Sequence, residues 1–354
     1  MRPKEAQRYN RVMAYRDHSL LTLAVLAPLL AAGCGGSSKS GPATFDELYG
    51  DFATTICNLE VRCGDMPDMA TCLASLQLDT TDYLTIKADI ASGKIQYDAA
   101  QGRVCAAWYE RYGAAACTLT GISAVTADTN GSDACASAIT GNVPDGGACF
   151  SLNECVSRKC AQSDPACLPS VQCCAGTCVP KPASIPVGAN CEASLPDQIC
   201  EGDAVCITTA SSTTATCIAP SKVRGTPCTT QYECATPLFC QISGATLTGT
   251  CQPAVATGQL CSTLGGFRAC ENLRDYCSQS ASRCTPRGAV GAACTEEDVN
   301  SCLGYAQCIG STCVALSPAR GACNPTDGPG CLGNLQCSAA TNTCEFPAAA
   351  SACM

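Results

Sequence analysis

Between residues 43 and 142 apolar positions recur at helical spacing; beyond residue 143 that rhythm stops. Thr44-Phe45-Asp46-Glu47 is a capping box, whose hydroxyl and carboxylate satisfy backbone N–H groups left open at a helix start. Phe45, Leu48, Tyr49, Phe52, Ile56 and Leu59 then form one apolar stripe. A second short helix carries Met69, Cys72, Leu73 and Leu76, and a third runs from Asp82 to Ser92 with Gly93 as its stop. A fourth starts near Asp98, carries Val104, Cys105, Trp108 and Tyr112, and ends at Gly113. Ser132 is the candidate cap of a last short helix containing Cys135. Trp108 reads as core and its neighbour Tyr109 as exposed.

From Val143 onward cysteine spacing replaces hydrophobic spacing. The groups are Cys191/Cys200/Cys206/Cys217, Cys228/Cys234/Cys240/Cys251, Cys261/Cys270/Cys277/Cys284, Cys294/Cys302/Cys308/Cys313 and Cys323/Cys331/Cys337/Cys344. Their first cysteines lie 37, 33, 33 and 29 residues apart, a period that marks a repeat architecture. Four groups open with Gly-x-x-Cys, at Gly188, Gly225, Gly258 and Gly291, and the last shortens to Gly321-x-Cys323. An earlier, irregular unit has Cys149, Cys155, Cys160 and a closing Cys178, with Cys167, Cys173 and Cys174 inserted. Its seven cysteines become eight with Cys353; either that long link exists or one thiol pairs elsewhere.

Fixing 30 residues costs on the order of 30–60 kcal/mol of backbone entropy. Units with one or two aromatics each cannot offset that by apolar burial, so crosslinks that restrict the unfolded chain must contribute. Four cysteines allow three connectivities; first-to-third and second-to-fourth is the one expected here. The cysteines Cys57, Cys63, Cys72, Cys105, Cys117 and Cys135 close among themselves. The predicted fold is therefore α plus small disulfide-rich. A helical domain (43–142) precedes an irregular cysteine-rich module (143–182) and five four-cysteine repeats (183–354), built as short β-hairpins strung into a semi-rigid rod.

The N-terminus sets the compartment. Leu20 to Gly33 is a mostly apolar run too short for a membrane-spanning helix, which needs about 20 residues. With Arg2, Lys4, Arg8, Arg11 and Arg16 before it, it reads as a signal peptide (1–33), and a start at Met13 would give a shorter positive region. Gly35 to Pro42 forms a flexible tether (34–42). Of the 35 cysteines, 34 remain besides Cys34, an even number suited to an oxidising compartment. The only histidine, His18, lies in the signal segment. Without residues 1–33 the chain has 16 basic and 28 acidic side chains, a net charge of −12, which argues against nucleic acid as a partner.

Leu30-Ala31-Ala32-Gly33-Cys34 resembles the lipobox of bacterial lipoproteins at Ala32, Gly33 and Cys34, and departs from it at Ala31, where the family prefers Leu. The resemblance implies lipidation of Cys34, export, and anchoring at the outer membrane or cell surface; the alternative is a plain cleaved signal peptide. The repeats, with Gly-x-x-Cys openings and closings such as Thr248-Gly249-Thr250-Cys251, resemble the Dickkopf-type and EGF-like cysteine-rich modules of bacterial surface lipoproteins, especially myxobacterial ones. Gly93-Lys94-Ile95-Gln96-Tyr97-Asp98 and Gly141-Asn142-Val143-Pro144-Asp145-Gly146-Gly147-Ala148-Cys149 resemble the N-terminal half of the same proteins. Cysteine spacing alone carries no activity, because disulfide scaffolds host many functions.

Site chemistry is sparse. No Cys-x-x-Cys pair occurs, so disulfides are favoured over zinc, and no cofactor is expected. The vicinal Cys173-Cys174 reads as two cysteines with separate partners rather than a redox switch. Asp128-Thr129-Asn130-Gly131-Ser132-Asp133 offers oxygen ligands but has Asp133 and Ile139 where a calcium loop needs Gly and Glu, and a capped turn is favoured. Glu296-Glu297-Asp298 reads as a solvated loop. Without an imidazole, Ser-His-Asp and Cys-His catalysis are excluded, and no enzyme is expected. Phe150, Tyr232, Phe239, Phe267, Tyr276, Tyr305 and Phe346 read as mini-cores of their units rather than ligand contacts. The expectation is a surface-anchored lipoprotein that engages a protein or glycan. The rivals are a structural spacer and an inhibitor or carrier of secreted hydrolases, the latter presenting the insertion Ala161 to Gln172.

Overall fold

A computed structural model describes residues 43–345 except 77–79, 165–166, 168–172, 182, 192–199, 203, 209–213, 230–232, 243–247, 262–269, 297, 299, 325–327 and 334. The signal segment, Cys34, the tether, Tyr232, Phe267, Phe346, Cys353 and most of the Ala161–Gln172 insertion lie outside the described residues.

The helical domain comprises α1 (Phe45–Cys63), α2 (Met69–Leu76), α3 (Thr80–Ser92), β1 (Ile95–Tyr97), α4 (Ala99–Ala114), α5 (Leu119–Thr126), α6 (Thr129–Ala138) and β2 (Ile139–Gly141). The capping box forms at Thr44 and Glu47, and Gly64 ends α1 in the left-handed conformation. The apolar stripe of α1 divides between two clusters. Phe45 and Tyr49 stack with Tyr83 of α3 and pack on Ile86, Ile95 and Ile139; Leu48 packs with Cys105, Ala106, Tyr109 and Cys135. Disulfides Cys57–Cys72, Cys63–Cys117 and Cys105–Cys135 tie α1 to α2, α1 to the start of α5, and α4 to α6.

Four readings change. The helix α5 escapes the sequence pattern, because its residues Leu119, Ile122 and Val125 are too few to set a period. The last helix starts at Thr129 with Asp128 in the cap position, which places Ser132 inside it. Gly131 there lies directly against the Trp108 ring, where any side chain would collide, so the Asp128–Asp133 segment, expected as a capped turn, is the first turn of a helix packed on α4. Tyr109 is 7% exposed, while Trp108 is only half-buried and its Nε1 donates to Val125 O.

Beyond β2 the chain forms small antiparallel sheets of two or three strands. Of the three connectivities that spacing leaves open, the structure selects one throughout: the first cysteine bonds the third and the second bonds the fourth. The pairs are Cys191–Cys206 with Cys200–Cys217, and Cys228–Cys240 with Cys234–Cys251. Next come Cys261–Cys277 with Cys270–Cys284, and Cys294–Cys308 with Cys302–Cys313. The last are Cys323–Cys337 with Cys331–Cys344. Their Cα–Cα separations are 5.5 to 5.9 Å. The third and fourth cysteines face each other across each hairpin, as Cys240 faces Cys251, Cys277 faces Cys284 and Cys337 faces Cys344.

The irregular module shares this plan: Cys149 bonds Cys160 and Cys155 bonds Cys178. It is a sixth copy whose hairpin loop carries an added Cys167–Cys174 disulfide. Cys173 is disulfide-bonded as well. In chain order the copies are units 1 to 6.

Each unit is closed by the same ladder. The residue three before the first cysteine donates its N–H to the carbonyl of the fourth: Gly146 to Cys178, Gly188 to Cys217, Gly225 to Cys251, Gly258 to Cys284, Gly291 to Cys313 and Arg320 to Cys344, at 2.7 or 2.8 Å. All six positions are left-handed, with φ from 62° to 88°. The last unit has therefore not lost a residue. Arg320 occupies the glycine position, and Gly321 follows it.

The units do not project as a free rod. Leu119 N–H donates to Glu271 O and Leu273 N–H to Cys117 O, joining unit 4 to the helical domain. Gly304 N–H donates to Gly64 O from unit 5, and Met66 packs into the Cys323/Leu332/Leu335/Cys344 cluster of unit 6. The Glu271 carboxylate also accepts the Thr120 N–H, so a repeat residue helps cap α5. The array leaves the helices at unit 1 and returns to them at units 4 to 6.

A non-glycine residue held left-handed costs about 1–2 kcal/mol. Arg320→Gly is expected to raise, and Gly291→Ala to lower, hydrogen-exchange protection of the Cys344 and Cys313 amides respectively, by about fivefold each for a change of about 1 kcal/mol.

Candidate functional site

Within a unit the disulfides lie side by side. In units 1 to 5 three cysteine sulfurs, such as those of Cys191, Cys200 and Cys217, lie within 4.8 Å of one another. All of these cysteines are in disulfides, so the clusters offer no thiolate to a metal and act as the apolar centre of each unit. The four positions are not equally enclosed. The fourth cysteine is sealed in every unit, at 0% or 1% exposed. The third is only partly buried at Cys160, Cys206, Cys277, Cys308 and Cys337, and Cys240 alone is fully enclosed. The second is buried except at Cys331, which packs at the edge of the unit 6 cluster. Cys240, Cys277, Cys331 and Cys337 are thus crosslinks of the frame and not ligand groups.

The described repeat aromatics Phe150, Phe239, Tyr276 and Tyr305 are half-buried at the unit edges. The exposed apolar side chains of the repeats are instead aliphatic: Val187 and Val290, each just before the left-handed glycine of its unit, Val223, two residues before Gly225, and Leu152, Val156 and Leu260 elsewhere in their units.

Asp298 is not a solvated residue. It is 4% exposed and accepts bonds from Ser278 Oγ (3.1 Å) and Gln279 N–H (2.9 Å), which fastens unit 5 to unit 4. Glu296 accepts the Gly310 N–H at 3.0 Å.

The residue before the second cysteine is glutamate in units 1 and 3, and both side chains are buried. Each accepts the N–H of the residue after the first cysteine: Phe150 for Glu154 (3.2 Å) and Thr229 for Glu233 (3.1 Å). Glu233 is fully served, since Thr229 Oγ1 donates at 2.7 Å and Lys222 Nζ at 2.5 Å. Burial alone would raise its pKa, but the bonds from Lys222 and Thr229 outweigh that and hold it below the usual carboxylate value.

Glu154 meets a different environment. Phenylalanine replaces threonine after the first cysteine, so no hydroxyl reaches the carboxylate, and it faces Asp89 on α3. Glu154 is 0% and Asp89 2% exposed. Lys94 lies between them, its Nζ 3.5 Å from Glu154 Oε1, 3.7 Å from Asp89 Oδ1 and 5.3 Å from the Phe150 ring centre. Burial, and then the neighbouring Glu154, raise the Asp89 pKa to about 7. The Gly93–Asp98 and Gly141–Cys149 segments meet here. Ile95 pairs with Gly141, Asn142 N–H donates to Lys94 O, and Val143 N–H donates to Glu154 O. Sequence reading missed Asp89 and Glu154; the signal available was the Glu-Cys pair repeated at Glu154-Cys155 and Glu233-Cys234.

A shallow open groove of ≈ 520 Å³ lies between α1, α2 and α4, lined by Thr55, Asn58, Arg62, Met69 and Glu110. The Arg62 guanidinium at its edge is engaged by Ala115 O. No helix among the described residues is long and apolar enough to cross a membrane. No family model, curated protein or solved structure matches the chain.

Glu233 supplies stability that is complete above the ordinary carboxylate pKa of 4.5 and is lost as pH falls through its lower folded value. Exchange protection at the Thr229 amide is expected to be flat at neutral pH and to fall in acid. In Glu233→Gln the acid limb disappears, and protection is lower by the roughly 1–3 kcal/mol of a disrupted charged hydrogen bond.

Proposed function

We propose that this chain is a non-enzymatic surface lipoprotein, held to the outer membrane or cell surface by lipid on Cys34, whose Dickkopf-type and EGF-like units engage a protein or glycan partner. The observation that carries the reading is the separation of frame from surface. One disulfide plan recurs in six units, while the hairpin loops between the third and fourth cysteines range from the four residues of Ile309–Thr312 to the Cys167–Cys174 insertion of unit 1. Frames of this kind hold loops in place without drawing on their side chains for a core, which leaves those side chains available for contacts. Exposed Val187, Val223 and Val290 supply apolar area beside the opening turns of units 2, 3 and 5, and a net charge of −12 after residue 33 disfavours anionic partners. The disulfide density supports export to an oxidising compartment.

Anchoring is tested by growing cells with a palmitate analogue that can be tagged. The wild-type chain is expected to take the label and to sediment with membranes. Cys34→Ser is expected to lose the label; equal labelling of both would remove the anchor from the reading.

Engagement is tested with fluorescent, disulfide-intact protein of residues 35–354 added to intact cells and to arrayed glycans. Saturable binding that drops at least tenfold when Val187, Val223 and Val290 are changed together to Asp is the expected outcome. Absence of saturable binding on both surfaces would leave a structural spacer in its place.

A further inference from the structure

Asp89 and Glu154 belong to different parts of the chain. Asp89 sits in the last turn of α3, and Glu154 in the short 3₁₀ turn (Leu152–Glu154) of unit 1. Both are more than nine-tenths buried, and Asp89 Oδ2 and Glu154 Oε1 each lack a hydrogen-bond donor. The cation between them, Lys94, is one charge against two, and it stands off at ion-pair rather than hydrogen-bond distance. Arg158 of unit 1 also reaches the helices, and its guanidinium is spent on the carbonyls of Ala136 and Ile139. With both acids ionised the joint would hold an uncompensated buried negative charge, which is strongly unfavourable in a low-dielectric interior. With one proton held between the two carboxyls the charge balances Lys94, and one orphaned oxygen gains a donor.

We propose that Asp89 and Glu154 form a shared-proton clasp between the helical domain and unit 1, which loosens as the surroundings become alkaline. Its strands of attachment are the Asn142-to-Lys94 and Val143-to-Glu154 backbone bonds, at 2.8 and 2.9 Å. The sign follows from the proton count. Asp89, held to about 7, keeps its proton when folded at pH values where the unfolded chain has lost it. The clasp is therefore strongest below the ordinary carboxylate value of 3.8, weakens as pH rises toward 7, and has lost this contribution above it. This is the reverse of the direction at Glu233, whose pKa is held low.

The test uses the full disulfide-bonded chain. Exchange rates of the Asn142 and Val143 amides, corrected for intrinsic pH dependence, are measured from pH 5 to pH 9. Protection is expected to fall at least tenfold across that range in the wild type. It is expected to stay level in Asp89→Asn and in Glu154→Gln, where an amide donor replaces the shared proton permanently. Equal protection at both ends of the range in the wild type would overturn the clasp, as would an unchanged pH response in Asp89→Asn. Should the variants fail to fold, infrared spectroscopy of the wild type decides. A protonated carboxyl stretch persisting at pH 6 and vanishing by pH 8.5 is expected, and its absence at pH 6 overturns the proposal.

Discussion

The crossed pair of disulfides is the constraint on which the repeat array rests. The third and fourth cysteines of each unit stand opposite one another on a hairpin, with their side chains on one face. Bonding them to each other would crosslink two strands already held by the ladder. Bonding them back to the first and second cysteines instead fastens the opening loop onto the hairpin. The loops so closed span 11 to 17 residues in units 2 to 6, each restricting the unfolded chain by roughly 3 kcal/mol. Sulfur packed on sulfur also fills the space that larger apolar side chains occupy in an ordinary domain.

This frame makes units alike but not independent. Units 4 to 6 are seated on the helical domain through backbone bonds at Cys117, Leu119 and Gly64 and the packing of Met66, and units 4 and 5 are fastened by Asp298. Because backbone groups make most of these joints, side-chain identity leaves little trace of them. The left-handed glycine position shows the same tolerance. Arg320 takes it in unit 6 and still donates to Cys344, because two disulfides and a closed ladder absorb a strain of about 1 kcal/mol.

Glu154 and Glu233 show how far one position can diverge within a common frame. Both are buried before a second cysteine and accept the same backbone N–H. A threonine hydroxyl and a bonded lysine make Glu233 a settled carboxylate. Phe150 and a facing Asp89 give Glu154 neither hydroxyl nor unshared cation. The difference arises from one neighbour in the unit and one residue in a distant helix.

The sequence by itself determined the helical start at Thr44, the amphipathic stripe of α1, the four-cysteine grouping and the division between helical and hairpin regions. These are local patterns, written in spacing and capping chemistry. It also contained the sixth unit, hidden by the extra cysteines of the insertion until the Cys149–Cys160 and Cys155–Cys178 bonds separated frame from loop. Only the tertiary structure decided that Tyr109 turns inward, that Asp298 is buried, that units 4 to 6 fold back onto the helices, and that Asp89 meets Glu154 across 65 positions of chain. Each depends on a contact between segments far apart in sequence, whose energy comes from burial and backbone pairing rather than from any periodicity of the residues involved.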